Sequence, residues 1–263
     1  MLKEAEKNVK STFFEGMTSI RSLLRGIDKK INDRSIDTIL YDSSKMKKIA
    51  KDVGYLKAVS AKYKFSVSES CTDEIEKIAL GTSHGGIVAR VGARTLPHFS
   101  SLCTTLSGEF QSGFYAIIDG IEDPYNFGYA IRSLYACGCD GLILGERNWM
   151  SAAGVVARSS AGASEMMPIY SGDISECIDF FKLNNFKVIC ADERTDNILG
   201  ECELKFPLLL LVGGEKRGIS RTILDKSDLL VKIDYAQDFH ASLSAASAAT
   251  MFGYEIMRQN KLK

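Results

Sequence analysis

The second half of the chain alternates short apolar runs with segments of helical periodicity. Runs of this length, bounded by glycine or polar turns, predict buried strands. Because helical segments follow most of these runs, the pattern predicts βα units and a mostly parallel sheet covered by helices on both faces. The predicted strands cover residues 114–118, 141–144, 187–191, 208–212 and 229–233. The predicted helices cover residues 127–137, 151–160, 173–183, 220–226 and 242–259.

The first hundred residues also alternate strand and helix patterns, and they predict a small α/β domain. Apolar side chains at helical spacing predict a helix over residues 11–26, and a helix over 71–80 has Thr72 as a candidate cap. The other predicted elements are a helix over 44–53 and strands over 38–41, 64–67 and 86–91. Small polar residues follow, so the predicted organisation is a domain over 1–105, a linker over 106–113 and a second domain over 114–263.

The seven cysteines and three histidines do not have the spacing of a disulfide framework or a metal site. The cysteine number is odd and no Cys-x-x-Cys pair occurs, so we expect reduced thiols and no bound metal. No apolar run reaches about 18 residues, and the amino terminus mixes lysine and glutamate instead of forming a signal peptide. A cytoplasmic protein without a membrane partner is the expectation.

The formal net charge of zero conceals an uneven distribution along the chain. Residues 1–105 hold 18 basic and 12 acidic side chains, a charge of +6, whereas the remaining residues hold 15 and 21, a charge of −6. Such an asymmetry is one indication of contact with nucleic acid. Lysine-rich helix faces are also often only solvated, so charge alone leaves both interpretations open.

Three segments in the second half combine polar, glycine and small residues. Residues 123–132 read Asp-Pro-Tyr-Asn-Phe-Gly-Tyr-Ala-Ile-Arg and open a predicted helix. Residues 213–218 read Gly-Gly-Glu-Lys-Arg-Gly and follow a predicted strand, so their glycines let the backbone approach a ligand closely. Residues 242–249 consist of serine, alanine and leucine, which suits a helix that packs tightly against neighbouring backbone.

In this order the three segments resemble the signature motifs of the SpoU (TrmH-type) branch of the SPOUT methyltransferases. The resemblance spans roughly residues 114–258. Members of that family methylate ribose 2′-hydroxyls of RNA with S-adenosylmethionine. The resemblance therefore implies a trefoil knot in the C-terminal sheet, S-adenosylmethionine as cofactor and a homodimer formed through the C-terminal domain. It also implies an RNA substrate, with ribosomal RNA favoured over transfer RNA, selected by the small α/β domain at the front.

The same resemblance assigns roles to individual residues. The catalytic residues that it implies are Asn126, Arg132, Glu215 and Ser242, and the cofactor-binding residues are Gly213, Gly214, Gly218, Ile233, Leu243 and Ser244. A guanidinium stays protonated in proteins, so we expect Arg132 to hold a substrate phosphate and to stabilise the developing alkoxide. Asn126 orients Arg132 or the ribose in this interpretation. Arg132 acts in its own subunit or in the pocket of a partner subunit, and the sequence leaves both open.

A short segment of the first half adds to the resemblance. Residues 84–89 read His-Gly-Gly-Ile-Val-Ala and are similar to a histidine-led segment that closes the RNA-recognition domain of many SpoU proteins. Gly85 stands where that family usually has glutamine. The alternative is a simple turn at Gly85 and Gly86 with His84 capping the following strand, and we favour it over a contact between His84 and a base.

Several positions depart from the family pattern. Ser244 stands where the family has asparagine, the pair Asp234–Tyr235 replaces a proline and a methionine, and Lys216 replaces glycine. These departures keep open an alternative function, a catalytically silent RNA-binding protein with the same fold. A third hypothesis is a nucleotide-binding enzyme that uses residues 213–218 as an anion loop. It is disfavoured because the segment lacks the pattern Gly-x-x-x-x-Gly-Lys-Ser/Thr.

Overall fold

The computed structural model describes residues 13–102, 113–145, 148–216, 218–238 and 240–260. The predicted linker over 106–113 lies outside the described residues except for Gly113. The described residues form two compact units. The first unit contains the residues up to Thr95 together with Trp149–Met166, and the second contains Leu96–Asn148 and the residues from Met167 onward.

The helices and strands alternate along most of the chain. In chain order the strands are β1 (Phe13–Glu15), β2 (Ile36–Asp42), β3 (Ser66–Ser70), β4 (Ile87–Val91), β5 (Phe114–Asp119), β6 (Gly141–Leu144), β7 (Ile169–Ser171), β8 (Lys187–Ala191), β9 (Leu208–Gly213) and β10 (Leu229–Val231). The helices are α1 (Gly16–Asp28), α2 (Met46–Tyr63), α3 (Thr72–Ile78), α4 (Pro124–Ala136), α5 (Ala153–Ser159), α6 (Ala163–Met166), α7 (Ile174–Leu183), α8 (Arg221–Lys226) and α9 (Ala245–Asn260). The alternation is interrupted where α6 follows α5 directly and where β9 follows β8 directly.

The first unit is built on a four-stranded mixed sheet in the order β1-β4-β2-β3. β2 and β3 are parallel, and β4 runs antiparallel to β1 and β2. Its core joins apolar side chains of the sheet and of α1 and α2 to two alanines of α5, namely Phe14, Ile20, Ile39, Leu56, Ile87, Ala153 and Ala157 among others. Because α5 and α6 come from the second half of the sequence, this unit is assembled from two separate stretches of the chain.

Two predicted helices of the first unit have different limits in the structure. The helix predicted over 11–26 begins at Gly16, because Phe13–Glu15 pair antiparallel with β4 and Gly16, at φ 72°, turns the chain. The helix predicted over 44–53 begins at Met46 and runs on to Lys64, which ends it in the left-handed conformation at φ 58°. Buried Leu56 continues the apolar face of α2, so the longer helix adds to the core.

Thr72 and His84 take positions that hydrogen bonding explains. Thr72 is the first residue of α3 and not its cap, because its hydroxyl donates to the Oδ2 atom of Asp42 at 2.9 Å. β3 also starts later than predicted, at residue 66.

His84 is buried, and its Nδ1 accepts the Gly86 N–H at 3.1 Å. Gly85 and Gly86 both have positive φ, so the interpretation of this segment as a turn is confirmed.

The second unit is built on six parallel strands in the order β10-β8-β9-β5-β6-β7. The parallel α/β sheet is therefore confirmed, and the five predicted strands lie in it, with β10 ending two residues earlier than predicted. Strand β7 and helix α6 were not predicted, because three or four residues are too few to show a period. The continuous leucines of β9 match a strand that is buried on both faces.

Helices cover both faces of this sheet. Alternate residues of β5 and β9, such as Tyr115, Ile117 and Leu209, share one core cluster with α7 and α8. The residues between them are equally buried and belong to the opposite face, where α4 and α9 pack together. The contact between α4 and α9 is close: a Cβ atom on Gly253 would lie 3.2 Å from the Cβ of Cys137. This approach depends on Gly253, which lies beyond the small residues of 242–249; of those, Ala245, Ala246 and Ala249 are buried.

A buried ion pair between Arg34 and Glu165 connects α6 to the rest of the first unit. The Nε of Arg34 donates to the Oε2 of Glu165 at 3.0 Å, and both side chains are almost completely buried. The amide of Asn32 and the hydroxyl of Ser164 also donate to this carboxylate. A second nitrogen of Arg34 donates to the carbonyl of Gly92 at 2.8 Å. Removing one member of such a pair leaves the other charged and unpaired inside the protein.

We expect Glu165→Ala to lower the free energy of unfolding by about 3–5 kcal/mol, because Arg34 would then be buried without its countercharge. Urea denaturation of the purified protein measures this loss. The matched control is Asp225→Ala, which breaks the exposed pair between Arg221 and Asp225 on α8. We expect the control to cost less than about 1 kcal/mol. Similar losses in both variants would contradict a structural role for the buried pair.

Candidate functional site

A cavity of about 600 Å³ lies at the carboxyl ends of β8, β9 and β10. Ligands of parallel α/β sheets bind at this end of the strands. Its walls come from the loops after these three strands and from the start of α9. The residues that line it include Asp192, Arg194, Gly213, Gly214, Glu215, Lys216, Gly218, Lys232, Ile233, Asp234, Tyr235, Ser242 and Leu243.

The glycine loop after β9, residues 213–218, packs closely against neighbouring backbone. A Cβ atom on Gly213 would lie only 2.8 Å from the backbone carbon of Gly218, and one on Gly214 would overlap the carbonyl of Gly120. The Gly218 N–H donates to the Gly214 carbonyl at 2.9 Å, and Gly218 has a positive φ of 58°. Glycine is therefore required here by close approach of backbone to backbone. At its glycines the loop presents peptide groups to the cavity, beside the side chains of Glu215 and Lys216.

The carboxylate of Glu215 joins the three sequence segments. Its Oε1 accepts the Asn126 amide at 3.2 Å and the Ala245 N–H at 2.9 Å. Asn126 lies in the first turn of α4, Glu215 lies in the glycine loop, and Ala245 is the first residue of α9. A negative charge at the amino end of a helix is favourable, because the N–H groups there have no partner within the helix. Glu215 thereby holds both helices against the loop that borders the cavity.

Local sequence explains why Asn126 is available for this contact. Asp123 caps α4, since its side chain accepts the N–H groups of Tyr125 and Asn126. Pro124 follows at the first helical position, where its missing N–H costs nothing. The cap fixes the first turn of α4 directly after the loop that follows β5. The side chain of Asn126 is then free to donate to Glu215.

The residues of the third segment, 242–249, have two roles: the first two line the cavity, and the third caps α9. Ser242 and Leu243 line the cavity, as does Tyr235, whose hydroxyl accepts the Leu243 N–H at 3.2 Å. Ser244 does not line the cavity. Its hydroxyl accepts the Ser247 N–H at 3.1 Å and so caps α9. Ser244 therefore serves the end of the helix and not the cavity wall.

Arg132 stands apart from the cavity. It is exposed on α4 and makes no hydrogen bond or ion pair within the part of the chain that the structure describes. Six residues separate it from Asn126, which places the two side chains about 120° apart around the helix. Tyr129 and Tyr125, three and seven positions before Arg132, lie on the same face of α4, and both are exposed. Seven of the ten predicted site residues thus line the cavity. Asn126 does not line it but donates to Glu215, which does. Ser244 and Arg132 do not line it either.

The sequence interpretation missed the charged residues after β8. Asp192 and Arg194 line the cavity and form a bidentate ion pair, with 2.7 Å between Nη2 and Oδ2. The hydrogen bond from Arg194 holds the pKa of Asp192 below its usual value. Their position directly after a predicted strand was the available signal, because the carboxyl ends of adjacent parallel strands meet at one edge of the sheet.

The described residues contain no group of three or more histidine, cysteine or acidic side chains placed to hold a metal ion. Within the same residues, no helix is long and apolar enough to cross a membrane. The cysteines that the structure describes are free thiols, and burial raises the pKa of Cys139, Cys177 and Cys190 among others. These buried thiols therefore stay protonated and act as small apolar side chains.

The chain belongs to the SpoU rRNA Methylase family, because the model of that family matches residues 113–254, more than half of its length. The resemblance drawn from the three segments is thus confirmed. A TrmH family tRNA/rRNA methyltransferase of Bacillus subtilis is 28% identical over 177 residues, which are 67% of this chain and 71% of the relative. One from Staphylococcus aureus is 33% identical over 144 residues, which are 54% of this chain and 58% of the relative.

Solved structures of methyltransferases have the same fold as this chain. An rRNA methyltransferase of Sinorhizobium meliloti with bound AdoMet has a TM-score of 0.76 at 19% identity, covering 97% of this chain and 93% of its own. The SpoU methyltransferase AviRb of Streptomyces viridochromogenes, in complex with the cofactor AdoMet, has a TM-score of 0.74 at 22% identity, covering 94% and 89%. At these identities the likeness establishes the fold of this chain.

We expect Glu215→Ala to lower the free energy of unfolding by about 2–3 kcal/mol, because it removes a charged acceptor from the Asn126 amide and the Ala245 N–H. Lys216→Ala is the matched control in the same loop, since its exposed ion pair with Glu122 contributes little. Thermal or urea unfolding of both variants measures the difference. A loss no larger for Glu215→Ala than for the lysine variant would show that Glu215 does not hold the segments together.

Proposed function

We propose that this protein transfers a methyl group from S-adenosylmethionine to a ribose 2′-hydroxyl of RNA, with ribosomal RNA as the substrate. The observation that carries the proposal is the joining of Asn126, the glycine loop and α9 by Glu215 beside a cavity at the carboxyl ends of the strands. Membership of the SpoU family supports methyl transfer to RNA, and the names of the curated relatives include both tRNA and rRNA.

The cavity suits an adenosyl ligand. S-adenosylmethionine supplies an electrophilic methyl group on a sulfonium sulfur. The peptide groups of Gly213, Gly214 and Gly218, together with the backbone of Ile233 and Leu243, would hold the adenine, because they border the cavity without filling it. Ser242 lies at the same wall and can donate to the ligand or the substrate.

Arg132 would act on the RNA. It is permanently charged, so it can bind a phosphate next to the target ribose and stabilise the negative charge that develops on the 2′-oxygen. The hydroxyl proton would leave to a phosphate oxygen or to water. Asn126 contributes by fixing the start of α4, the helix that carries Arg132, through its bond to Glu215.

We propose that the protein works as a homodimer formed through α4 and α9. These two helices pack together, and each exposes large apolar side chains: Tyr125 and Tyr129 on α4, and Met251 and Tyr254 on α9. Exposed patches of large apolar side chains mark protein interfaces. Arg132 lies on the same face of α4 as the two tyrosines, so a second copy of the chain bound to this face would contact Arg132. This arrangement favours action of Arg132 in the partner's pocket.

The RNA would bind to the first unit through helix α2. Lys47, Lys48 and Lys51 are exposed on this helix and make no ion pair among the described residues. They lie away from the face that buries Ile49 and Val53 in the core. Unpaired lysines clustered on one helix face attract phosphates, which agrees with the excess of basic residues in the first half of the sequence.

Activity is tested by incubating the purified protein with isotopically labelled S-adenosylmethionine and ribosomal RNA from a strain that lacks its gene. We expect labelled 2′-O-methyl nucleosides after complete digestion, and none from RNA of the parent strain, which is already modified. Label on a base instead of a ribose would contradict the proposed reaction. Cofactor-independent RNA binding without any transfer would indicate the catalytically silent alternative.

Arg132→Ala should reduce methyl transfer by at least about a hundredfold, because the charge that holds the phosphate and stabilises the alkoxide is lost. The affinity for S-adenosylmethionine, measured by calorimetry, should stay within about threefold, since Arg132 does not line the cavity. Arg221→Ala, on the exposed surface of α8, is the control and should leave both quantities unchanged. Equal loss of binding and transfer in Arg132→Ala would assign it a structural role.

The triple variant Lys47→Glu, Lys48→Glu and Lys51→Glu should raise the KM for RNA about tenfold or more without changing cofactor affinity, because each substitution replaces attraction to phosphate by repulsion. The corresponding glutamine variant should show a smaller rise and lower the slope of log affinity against log salt by about two. An unchanged KM for RNA in both variants would place the RNA on another surface.

A further inference from the structure

Asp192 and Arg194 form a preorganised unit at the end of β8. The Nε and Nη2 of Arg194 donate to the Oδ1 and Oδ2 of Asp192 at 2.9 and 2.7 Å, and the backbone N–H of Arg194 donates to Oδ1 at 2.9 Å. The Asp192 side chain is 6% exposed, whereas that of Arg194 is 55% exposed. Both residues line the cavity.

The two members of this pair differ in what they can offer a ligand. Both oxygens of Asp192 already accept hydrogen bonds, so this carboxylate orients its partner. A guanidinium has five N–H groups, and the pair with Asp192 uses two of them. The remaining three belong to a rigid, permanently charged group that is open to the cavity. Such a group is suited to bidentate recognition of a carboxylate or a phosphate.

The charges around the cavity favour a carboxylate on a small cationic ligand. The described lining residues include five acidic side chains, Asp192, Glu193, Glu215, Asp234 and Asp238, but three basic ones, Arg194, Lys216 and Lys232. An acidic wall attracts the sulfonium and ammonium groups of S-adenosylmethionine and disfavours an RNA phosphate. The one anionic group of that ligand, its carboxylate, then needs a cation within the wall.

Arg194 fits this need better than the two lysines. Lys216 places its Nζ 2.6 Å from the Oε2 of Glu122, an exposed carboxylate that does not line the cavity. The Nζ of Lys232 lies 3.9 Å from the Oδ1 of Asp196. A lysine carries its charge on a single nitrogen at the end of a flexible side chain, so it cannot donate two parallel hydrogen bonds to a carboxylate as an arginine does. Arg194 differs from both lysines, because the Asp192 carboxylate that it pairs with is buried while its own guanidinium is exposed.

We propose that Arg194, oriented by Asp192, binds the carboxylate of the methionine part of S-adenosylmethionine and so selects ligands that retain this group. The proposal rests on the proposed function, because it names the ligand of the same cavity. Arg194 is the ligand-contacting residue, and Asp192 is a positioning residue that acts through it. Together they fix the amino-acid end of the cofactor, while the glycine loop faces its adenosyl end.

The test compares two ligands that differ by the carboxylate alone. S-adenosylhomocysteine carries the amine and the carboxylate, and its decarboxylated analogue keeps the amine. We expect the wild-type protein to prefer S-adenosylhomocysteine by roughly tenfold or more in calorimetry. Arg194→Met should bind S-adenosylhomocysteine roughly tenfold more weakly and the analogue within about twofold of wild type, so that the preference disappears. Unchanged binding of the analogue also shows that the variant is folded.

Further variants separate the roles of the two residues. Arg194→Lys should recover part of the preference, and Asp192→Asn should reduce it less than Arg194→Met does. The control Arg221→Met, outside the cavity, should leave both affinities unchanged. Equal weakening of the two ligands by Arg194→Met, or no weakening of either, would overturn the proposal. Failure of the wild-type protein to bind S-adenosylhomocysteine would overturn the proposed function, on which the proposal rests.

Discussion

The site depends on one carboxylate shared between two helices. Glu215 accepts the Asn126 amide from α4 and the Ala245 N–H from α9, and it does so from a loop whose glycines are pressed against neighbouring backbone. A charged acceptor that satisfies two donors at once is worth more than two neutral bonds. The loop after β9 can therefore keep the shape of the cavity although three of its residues are glycines.

The sheet and the helices supply the frame for that contact. Six parallel strands bring the loops after β8, β9 and β10 to one edge, where the cavity lies. Small residues let α9 approach α4, and the Asp123 cap fixes where α4 begins. The cavity and the exposed face of α4 that carries Tyr125, Tyr129 and Arg132 are two separate features of the same unit. A second copy of the chain bound to this face of α4 would bring these features together.

Much of this could be predicted from the sequence, since strand runs and motif order have clear physical signals. The parallel sheet and the glycine loop follow from local patterns. The hydrogen bond from Asn126 to Glu215 could not be predicted, because it joins residues that are 89 positions apart in the chain. The assignment of α5 and α6 to the first unit could not be predicted, because a helical period does not reveal which surface a helix packs against. The pairing of Asp192 with Arg194 depends on side-chain geometry, and Ser244 proved to be a cap. The trefoil knot stays a prediction.

A crystal structure of the protein with S-adenosylhomocysteine tests the central claim most directly. We expect the adenosyl group between residues 213–218 and the segment that runs from Ile233 to Leu243, with Glu215 still bound to Asn126 and to the start of α9. A ligand bound at another surface would contradict the claim. So would a bound state in which the Glu215 carboxylate has left both donors, because the cavity would then not depend on this contact.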